Sequence, residues 1–260
     1  MSETCRIIAL ANQKGGVGKT TTAINLGAAL ASKGKRVLLV DMDPQGNAST
    51  GLGLASGQRR SSTYDLLIGS DPASEGIHLT GVEGLDIIPA TTDLSSADVE
   101  LMSTNGRSRV LKRRLEELLA DRGDYDYLLI DCPPALNLLT INAMVAAGSL
   151  LVPLQSEFFA LEGLSQLMLT LREVRGSANG DLRIEGIVLT MYDRRNNLSQ
   201  QVEADARQTL GELVFKTVIP RNVRLSEAPS HAMPVIEYDP TCAGARAYLD
   251  LADEVIEREK

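Results

Sequence analysis

The chain has no tryptophan and is only 3% aromatic, which disfavours stacking of bases on aromatic rings as a way of holding single-stranded nucleic acid. Its three cysteines, Cys5, Cys132 and Cys242, are an odd number without metal-like spacing. They exclude a disulfide scaffold and suit free thiols in a reducing compartment. No stretch approaches the ~18 consecutive apolar residues of a spanning helix, and Met1-Ser2-Glu3-Thr4 lacks the basic region and apolar core of a secretory signal. A cytoplasmic protein is expected. Positive charge is also scarce: 26 Lys and Arg against 34 Asp and Glu leave a net charge of -8. Binding to DNA needs local cations that displace counterions, so any DNA site has to be a confined patch.

What is present is an ordinary globular composition, 43% hydrophobic over 260 residues, enough for one large α/β domain or two small ones. Short runs rich in Ile, Val and Leu recur at Arg6 to Ala11, Arg36 to Val40, Leu85 to Pro89, Tyr127 to Ile130, Ser149 to Leu154, Ile184 to Met191 and Val214 to Ile219. They read as strands buried on both faces. Segments of helical period lie between them, among them Thr21 to Lys33, ended by Gly34, and Leu161 to Arg175, with Leu161, Leu164, Met168, Leu171 and Val174 on one face. Alternating strand and helix predict an α/β fold, a mainly parallel twisted sheet with helices on both faces. No linker divides the chain, so residues 1–260 are expected to form a single domain, and the Ser/Gly-rich stretch from Gly46 to Ser62 reads as a long loop. The first strand begins near Arg6, which is read as leaving no room for an amino-terminal helix-turn-helix.

After the first strand comes Asn12-Gln13-Lys14-Gly15-Gly16-Val17-Gly18-Lys19-Thr20-Thr21, then a run of good helix formers. A phosphate loop needs glycines that let backbone N–H groups wrap the anion, a helix amino terminus, a Lys for the β- and γ-phosphates and a hydroxyl for magnesium. Gly15, Gly16, Val17, Gly18, Lys19, Thr20 and Thr21 supply these at a strand-to-helix turn. The ordinary Walker pattern has Gly where this chain has Gln13, and Lys14 follows. A second lysine so placed does not easily touch the same phosphates from the same side of the loop, but it is able to reach a neighbouring subunit.

Two further strand ends carry carboxylates. Asp41-Met42-Asp43-Pro44 follows the second strand; a carboxylate just beyond that strand end is able to order an attacking water and the water shell of a metal, and Asp43 before Pro44 is alternatively a helix cap or an Asx turn. Tyr127-Leu128-Leu129-Ile130-Asp131-Cys132-Pro133-Pro134 has the Walker B form, with Asp131 holding magnesium through water and Cys132 read as a packed thiol.

The sequence KGGVGKTT resembles the deviant Walker A loop of the ParA/MinD group of P-loop ATPases. Phe158-Phe159-Ala160-Leu161-Glu162-Gly163, Leu189 to Val202 (LTMYDRRNNLSQQV) and Val218 to Ser230 (VIPRNVRLSEAPS) resemble the ParA/Soj partition ATPases, and the likeness runs from about Ile7 to Val255. The resemblance implies a homodimer formed on ATP binding, with Lys14 reaching the nucleotide of the facing protomer and acting in catalysis with Lys19 and Asp43. ATP and Mg2+ are the implied cofactors. Pro220 and Asn222 resemble positions near the adenine. Arg195 and Arg224, with Arg221 as a third, match surface arginines that bind double-stranded DNA without sequence preference; Arg221 alternatively serves the nucleotide. A ParB-type centromere-binding partner that stimulates hydrolysis is implied, as is association with the nucleoid. The alternative is a MinD-like or cargo-positioning switch on a membrane or another protein. Its membrane helix is expected to be basic, whereas Leu249 to Lys260 carries Asp250, Asp253, Glu254, Glu257 and Glu259 against Arg258 and Lys260. A metabolic or redox P-loop enzyme needs a substrate pocket or cluster cysteines, which the sequence does not display.

Overall fold

The computed structural model describes residues 5–157 and 160–258. Met1–Thr4, Phe158, Phe159, Glu259 and Lys260, which carry parts of the leader, Phe158-to-Gly163 and acidic-tail readings, lie outside the described residues. Eight strands form one sheet: β1 Arg6–Leu10, β2 Val37–Asp41, β3 His78–Leu79, β4 Leu85–Ile88, β5 Tyr127–Asp131, β6 Ser149–Gln155, β7 Arg183–Tyr192 and β8 Val214–Pro220. Their order is β3-β4-β2-β5-β1-β6-β7-β8, parallel apart from the short edge pair β3–β4. The central strands β2 and β5 are buried at every residue, because helices cover both faces and neither face can be polar.

On one face α1 (Lys19–Ser32) packs against the short helix α2 (Asn47–Gly51) and the carboxyl-terminal α11 (Ala243–Glu257). Val188, Phe215 and Tyr248 join that core. The core on the other face is built from α3 (Thr63–Ile68), α4 (Leu94–Glu100), α5 (Val110–Asp121), α6 (Leu138–Ala146), α7 (Ala160–Ser177) and α8 (Asn197–Leu210). Two short helices, α9 (Val223–Glu227) and α10 (Val235–Tyr238), connect β8 to α11. Of the α7 stripe, Leu164, Leu171 and Val174 are buried and Met168 packs on the core; the side chain of Leu161 lies outside the described residues. Among the described residues no helix is long and apolar enough to cross a membrane.

The connectivity places the site. From β1 the chain crosses to β2 on one side, whereas from β6 it proceeds to β7 on the other. A crevice therefore opens at the carboxyl ends of β1 and β6, where open α/β sheets bind ligands. Asp41 and Asp131 are register partners at the adjacent ends of β2 and β5, and Leu10, the last residue of β1, pairs with Asp131 on its other side. One expectation is corrected here. The Gly46-to-Ser62 stretch is not one long loop, since it contains α2 and a 3-10 turn at Ser56–Gln58.

Candidate functional site

The turn from β1 into α1 is held open by its glycines. Gly16 and Gly18 have φ of 74° and 87°, a left-handed backbone that residues with a Cβ adopt only at a cost. Gly18 caps α1 without a side-chain acceptor, so the first-turn amides keep their hydrogens for a ligand. The loop is anchored from both flanks. Asn12 Nδ2 donates to the Pro153 carbonyl at 2.8 Å and Asn12 Oδ1 accepts from the Lys14 amide at 3.0 Å. Thr190 Oγ1 donates to the Val17 carbonyl at 2.8 Å.

Lys19 is buried, and its ammonium donates to the Lys14 carbonyl at 3.1 Å, spanning the inside of the loop. Burial lowers its pKa, while Asp131, Cys132 and Asp43 act to raise it. The two loop lysines thus have different surroundings. Lys14 is half-buried and its ammonium lies 2.6 Å from Glu157, just past β6.

Asp131 is wholly buried, and among the described residues neither of its carboxylate oxygens has a hydrogen-bond partner. Burial raises its pKa well above the usual carboxylate range, reinforced by Asp41 and Asp43; Thr20 and Lys19 act to lower it without closing a hydrogen bond on it. An orphaned buried carboxylate is costly unless a cation meets it. With the Thr20 hydroxyl it makes a hard-oxygen donor pair of the kind that suits a hydrated divalent cation. Among the described residues no three His, Cys, Asp or Glu side chains cluster to hold a metal, so this pair fits a cation that brings water and phosphate oxygens as its other ligands. Asp41, also fully buried, is in contrast satisfied. Its Oδ2 accepts from the Ser49 amide and hydroxyl at 2.9 and 2.6 Å, and burial moves its pKa to about 6 despite those bonds. Asp43 is half-buried; its Oδ1 accepts from the Gln45 amide at 3.0 Å, the Asx turn considered from the sequence, and its other oxygen makes no hydrogen bond among the described residues. Cys132 is buried and packed, with burial raising its pKa.

A cavity of about 430 Å³ continues from this loop. Gly18, Thr21, Met191, Pro220, Arg221 and Asn222 are among its lining residues, so the structure brings Pro220 and Asn222 to the same cavity as the start of α1. Asn222 also caps α9, its Oδ1 accepting from the Arg224 amide at 2.8 Å. Met191 has φ 51°, a strained backbone at the end of β7 that the sequence did not reveal.

A second, open groove of about 1190 Å³ runs between the ends of β7 and β8 and the side of α11. Arg194, Arg195, Lys216, Arg221 and Arg246 line it together with Asp250, Asp253, Glu254 and Glu257. Arg221 lines both the groove and the smaller cavity. Arg195 is 90% exposed and paired with Asp193 at 3.1 Å, holding that carboxyl down at about 2. Arg224 lies outside the groove lining, on α9, paired with Glu227 at 2.8 Å and Asp239 at 3.3 Å. Arg246 escaped notice in the sequence because it stands as a single cation among alanines at the start of α11, outside the basic run before it.

The family model described as "AAA domain" matches residues 5–184. The chain is 60% identical over 255 residues to the chromosome partitioning protein ParA of Caulobacter vibrioides (strain NA1000 / CB15N), which covers 98% of this chain and 95% of that protein. The chain belongs to the ParA/Soj family. It is a P-loop ATPase of the partitioning type, as the KGGVGKTT loop implied for the ATPase and the Leu189-to-Val202 and Val218-to-Ser230 runs for the partitioning type. It is also 56% identical to the sporulation initiation inhibitor protein Soj of Bacillus subtilis (strain 168), over 96% of this chain and 98% of that protein. Among solved structures, cobyrinic acid a,c-diamide synthase from Mycobacterium smegmatis with bound ADP and magnesium superposes with a TM-score of 0.85 at 38% identity, covering 98% of this chain and 96% of that one.

Proposed function

We propose that this ParA/Soj-family ATPase, residues 1–260 acting as one domain, moves DNA cargo in the cytoplasm by a nucleotide-gated cycle. ATP closes a homodimer, the dimer binds double-stranded DNA of the nucleoid without sequence preference, and hydrolysis stimulated by a ParB-type partner releases it. The observation that carries this reading is the meeting of Lys19, Thr20, Asp131, unpartnered among the described residues, and Asp43 at one sheet edge, with Lys14 held not by its own loop but by Glu157 just past β6.

Each residue has a role that its surroundings suit. The amides of Gly15 to Thr21 and the Lys19 ammonium bind the phosphates; Thr20 directly and Asp131 and Asp43 through water would hold Mg2+, which supplies charge neutralisation at the transferring phosphoryl group. Asp43, half-buried with one oxygen unengaged, orients the attacking water. Lys14 leaves Glu157 and reaches the facing protomer's phosphates, so dimerisation senses the γ-phosphate. Pro220 and Asn222 bracket the base. Hydrolysis without partner is slow, since no arginine finger or catalytic glutamine is evident.

Arg195 and Arg224, with Arg221, form the DNA contact. Two or three arginines bind a phosphate backbone weakly, and a dimer presents twice as many to one duplex. The metabolic alternative has the solved cobyrinic acid a,c-diamide synthase in its favour, but identity to that structure is 38% against 60% to the ParA protein. Light scattering of Asp43→Ala with ATP and Mg2+ tests the switch: this variant is expected to persist as a dimer and Lys14→Ala to remain monomeric. A dimeric Lys14→Ala overturns the role in trans.

A further inference from the structure

The segment that follows Asp43 is held by one arginine. Arg59 Nε and Nη2 donate to the Leu54 carbonyl at 3.1 and 2.8 Å, its Nη1 to the Ala90 carbonyl beyond β4 at 2.8 Å, and its Nη2 to Thr50 Oγ1 at 2.8 Å. Thr50 Oγ1 in turn donates to the Gly46 carbonyl at 3.0 Å. The guanidinium lies directly over Gly46, where an added Cβ would stand 2.2 Å from Nη1, and Gly46 has φ 62°. The opposite side of the same segment is fastened by Ser49, which donates to Asp41 and whose Oγ accepts from the Ala90 amide at 3.0 Å. Beyond Arg59, Thr63 Oγ1 donates to the Asp41 carbonyl at 2.7 Å.

Three points of the chain, near Thr50, Leu54 and Ala90, therefore converge on one planar cation. A lysine has no fork with which to span them. The loop so fastened begins at Asp43, whose carbonyl accepts from the Gly46 amide at 2.8 Å. Helix α2 within it is only five residues long, too short to hold its own shape.

We propose that Arg59 is a positioning residue for hydrolysis: it clamps the Gly46–Leu54 loop against the end of β4, and so keeps the Asp43 carboxylate in place to orient the attacking water. The clamp rests on the reading of Asp43 as the residue tied to hydrolysis. It predicts a loss in turnover with little change in substrate binding, because Arg59 bonds to none of the phosphate-loop residues and a displacement of about 1 Å in a reacting group costs up to ~100-fold in rate.

The test is steady-state phosphate release by the full chain with ATP, Mg2+ and random-sequence duplex DNA, comparing wild type, Arg59→Lys, Arg59→Gln, Thr50→Val and Asp43→Ala. We expect kcat to fall about tenfold or more in both Arg59 variants and about threefold in Thr50→Val, with KM for ATP within about twofold and no rescue by lysine. Amide exchange should rise at Gly46 to Leu54 and stay level in the phosphate loop. A folded Arg59→Lys with wild-type kcat, or with raised KM and unchanged kcat, overturns the clamp. Thr50 is exposed and its substitution does not threaten the fold, so if the Arg59 variants fail to fold, an unchanged kcat in Thr50→Val overturns it instead. Should Asp43→Ala itself turn over at the wild-type rate, the underlying reading of Asp43 falls and the clamp with it; loss in Asp43→Ala beside full activity in the clamp variants refutes the clamp alone.

Discussion

Asp131 and Lys19 carry opposite tensions that one ligand resolves. The carboxylate is buried without a partner and the ammonium is buried against a carbonyl, so each is held at a cost to the fold. Asp131→Asn removes the charge, and the ligand-free protein should gain about 1–3 kcal/mol in denaturant unfolding while losing its thermal stabilisation by ATP and Mg2+. The pH dependence follows from the direction of the shifts. Asp131 and Asp41 are raised in the folded state, Asp41 to about 6, so the native protein binds more protons than the unfolded chain between about pH 4 and 6 and its stability rises as pH falls through that window. Asp193, held at about 2 by Arg195, acts in the opposite sense, and only once the pH falls below the ordinary carboxylate range. Through Asp41 the ligand-free protein should therefore melt higher at about pH 5 than at about pH 6.5. For Lys19→Ala, isothermal titration should show ATP affinity reduced about 10- to 100-fold, the worth of a charge-assisted phosphate contact; unchanged affinity would remove Lys19 from the phosphates.

At the scale of elements, the end of β6 acts on the loop after β1 through the Lys14–Glu157 pair. Both side chains are about half exposed, 40% and 49%, so the pair adds at most about 1 kcal/mol. Glu157→Ala should leave stability almost unchanged yet tighten the ATP-dependent dimer by up to about fivefold, read by sedimentation. A weakened dimer would show that Glu157 serves the closed state instead. This contact was not legible in the sequence, since the partners are 143 positions apart and nothing local marks them. The strands were legible for the opposite reason: a run such as Tyr127 to Ile130, buried on both faces, declares itself by composition. Helix α1 was readable from its glycine-rich start and from Gly34, although it begins at Lys19 rather than Thr21. Helix α2 was not, because its five residues are held by Asp41, Ser49 and Arg59, a tertiary arrangement that overrides the loop-like composition of Gly46 to Ser62. β3 is too short at two residues to leave a periodic trace. Of the site, Lys19, Thr20, Asp43 and Asp131 were readable because strand ends meet at one edge of a parallel sheet. Arg246, a single cation among alanines, carried no local signal, and Met191 carries a backbone strain that composition does not reveal.

For the whole molecule the decisive property is a basic patch on an acidic body. With a net charge of -8 and the acids of α11 along one wall of the groove, the protein should repel a duplex wherever its arginines do not touch it. Arg195→Glu and Arg224→Glu should each dimerise with ATP as wild type does and lose DNA in a mobility-shift assay; retained binding would move the DNA face elsewhere. Because Arg195 and Arg224 are each paired with carboxylates here, DNA has to compete with those partners, and a single protomer should bind feebly. Binding to random-sequence duplex DNA over a salt series, with ATP, with ADP and without nucleotide, using Asp43→Ala beside wild type, tests the nucleotide-gated clamp most directly. The account predicts binding with ATP only, strongest in Asp43→Ala, with log affinity falling against log salt at a slope of roughly -4 to -5 for two to three arginines in each of two protomers; equal binding in all three nucleotide states, or none in any, would contradict it.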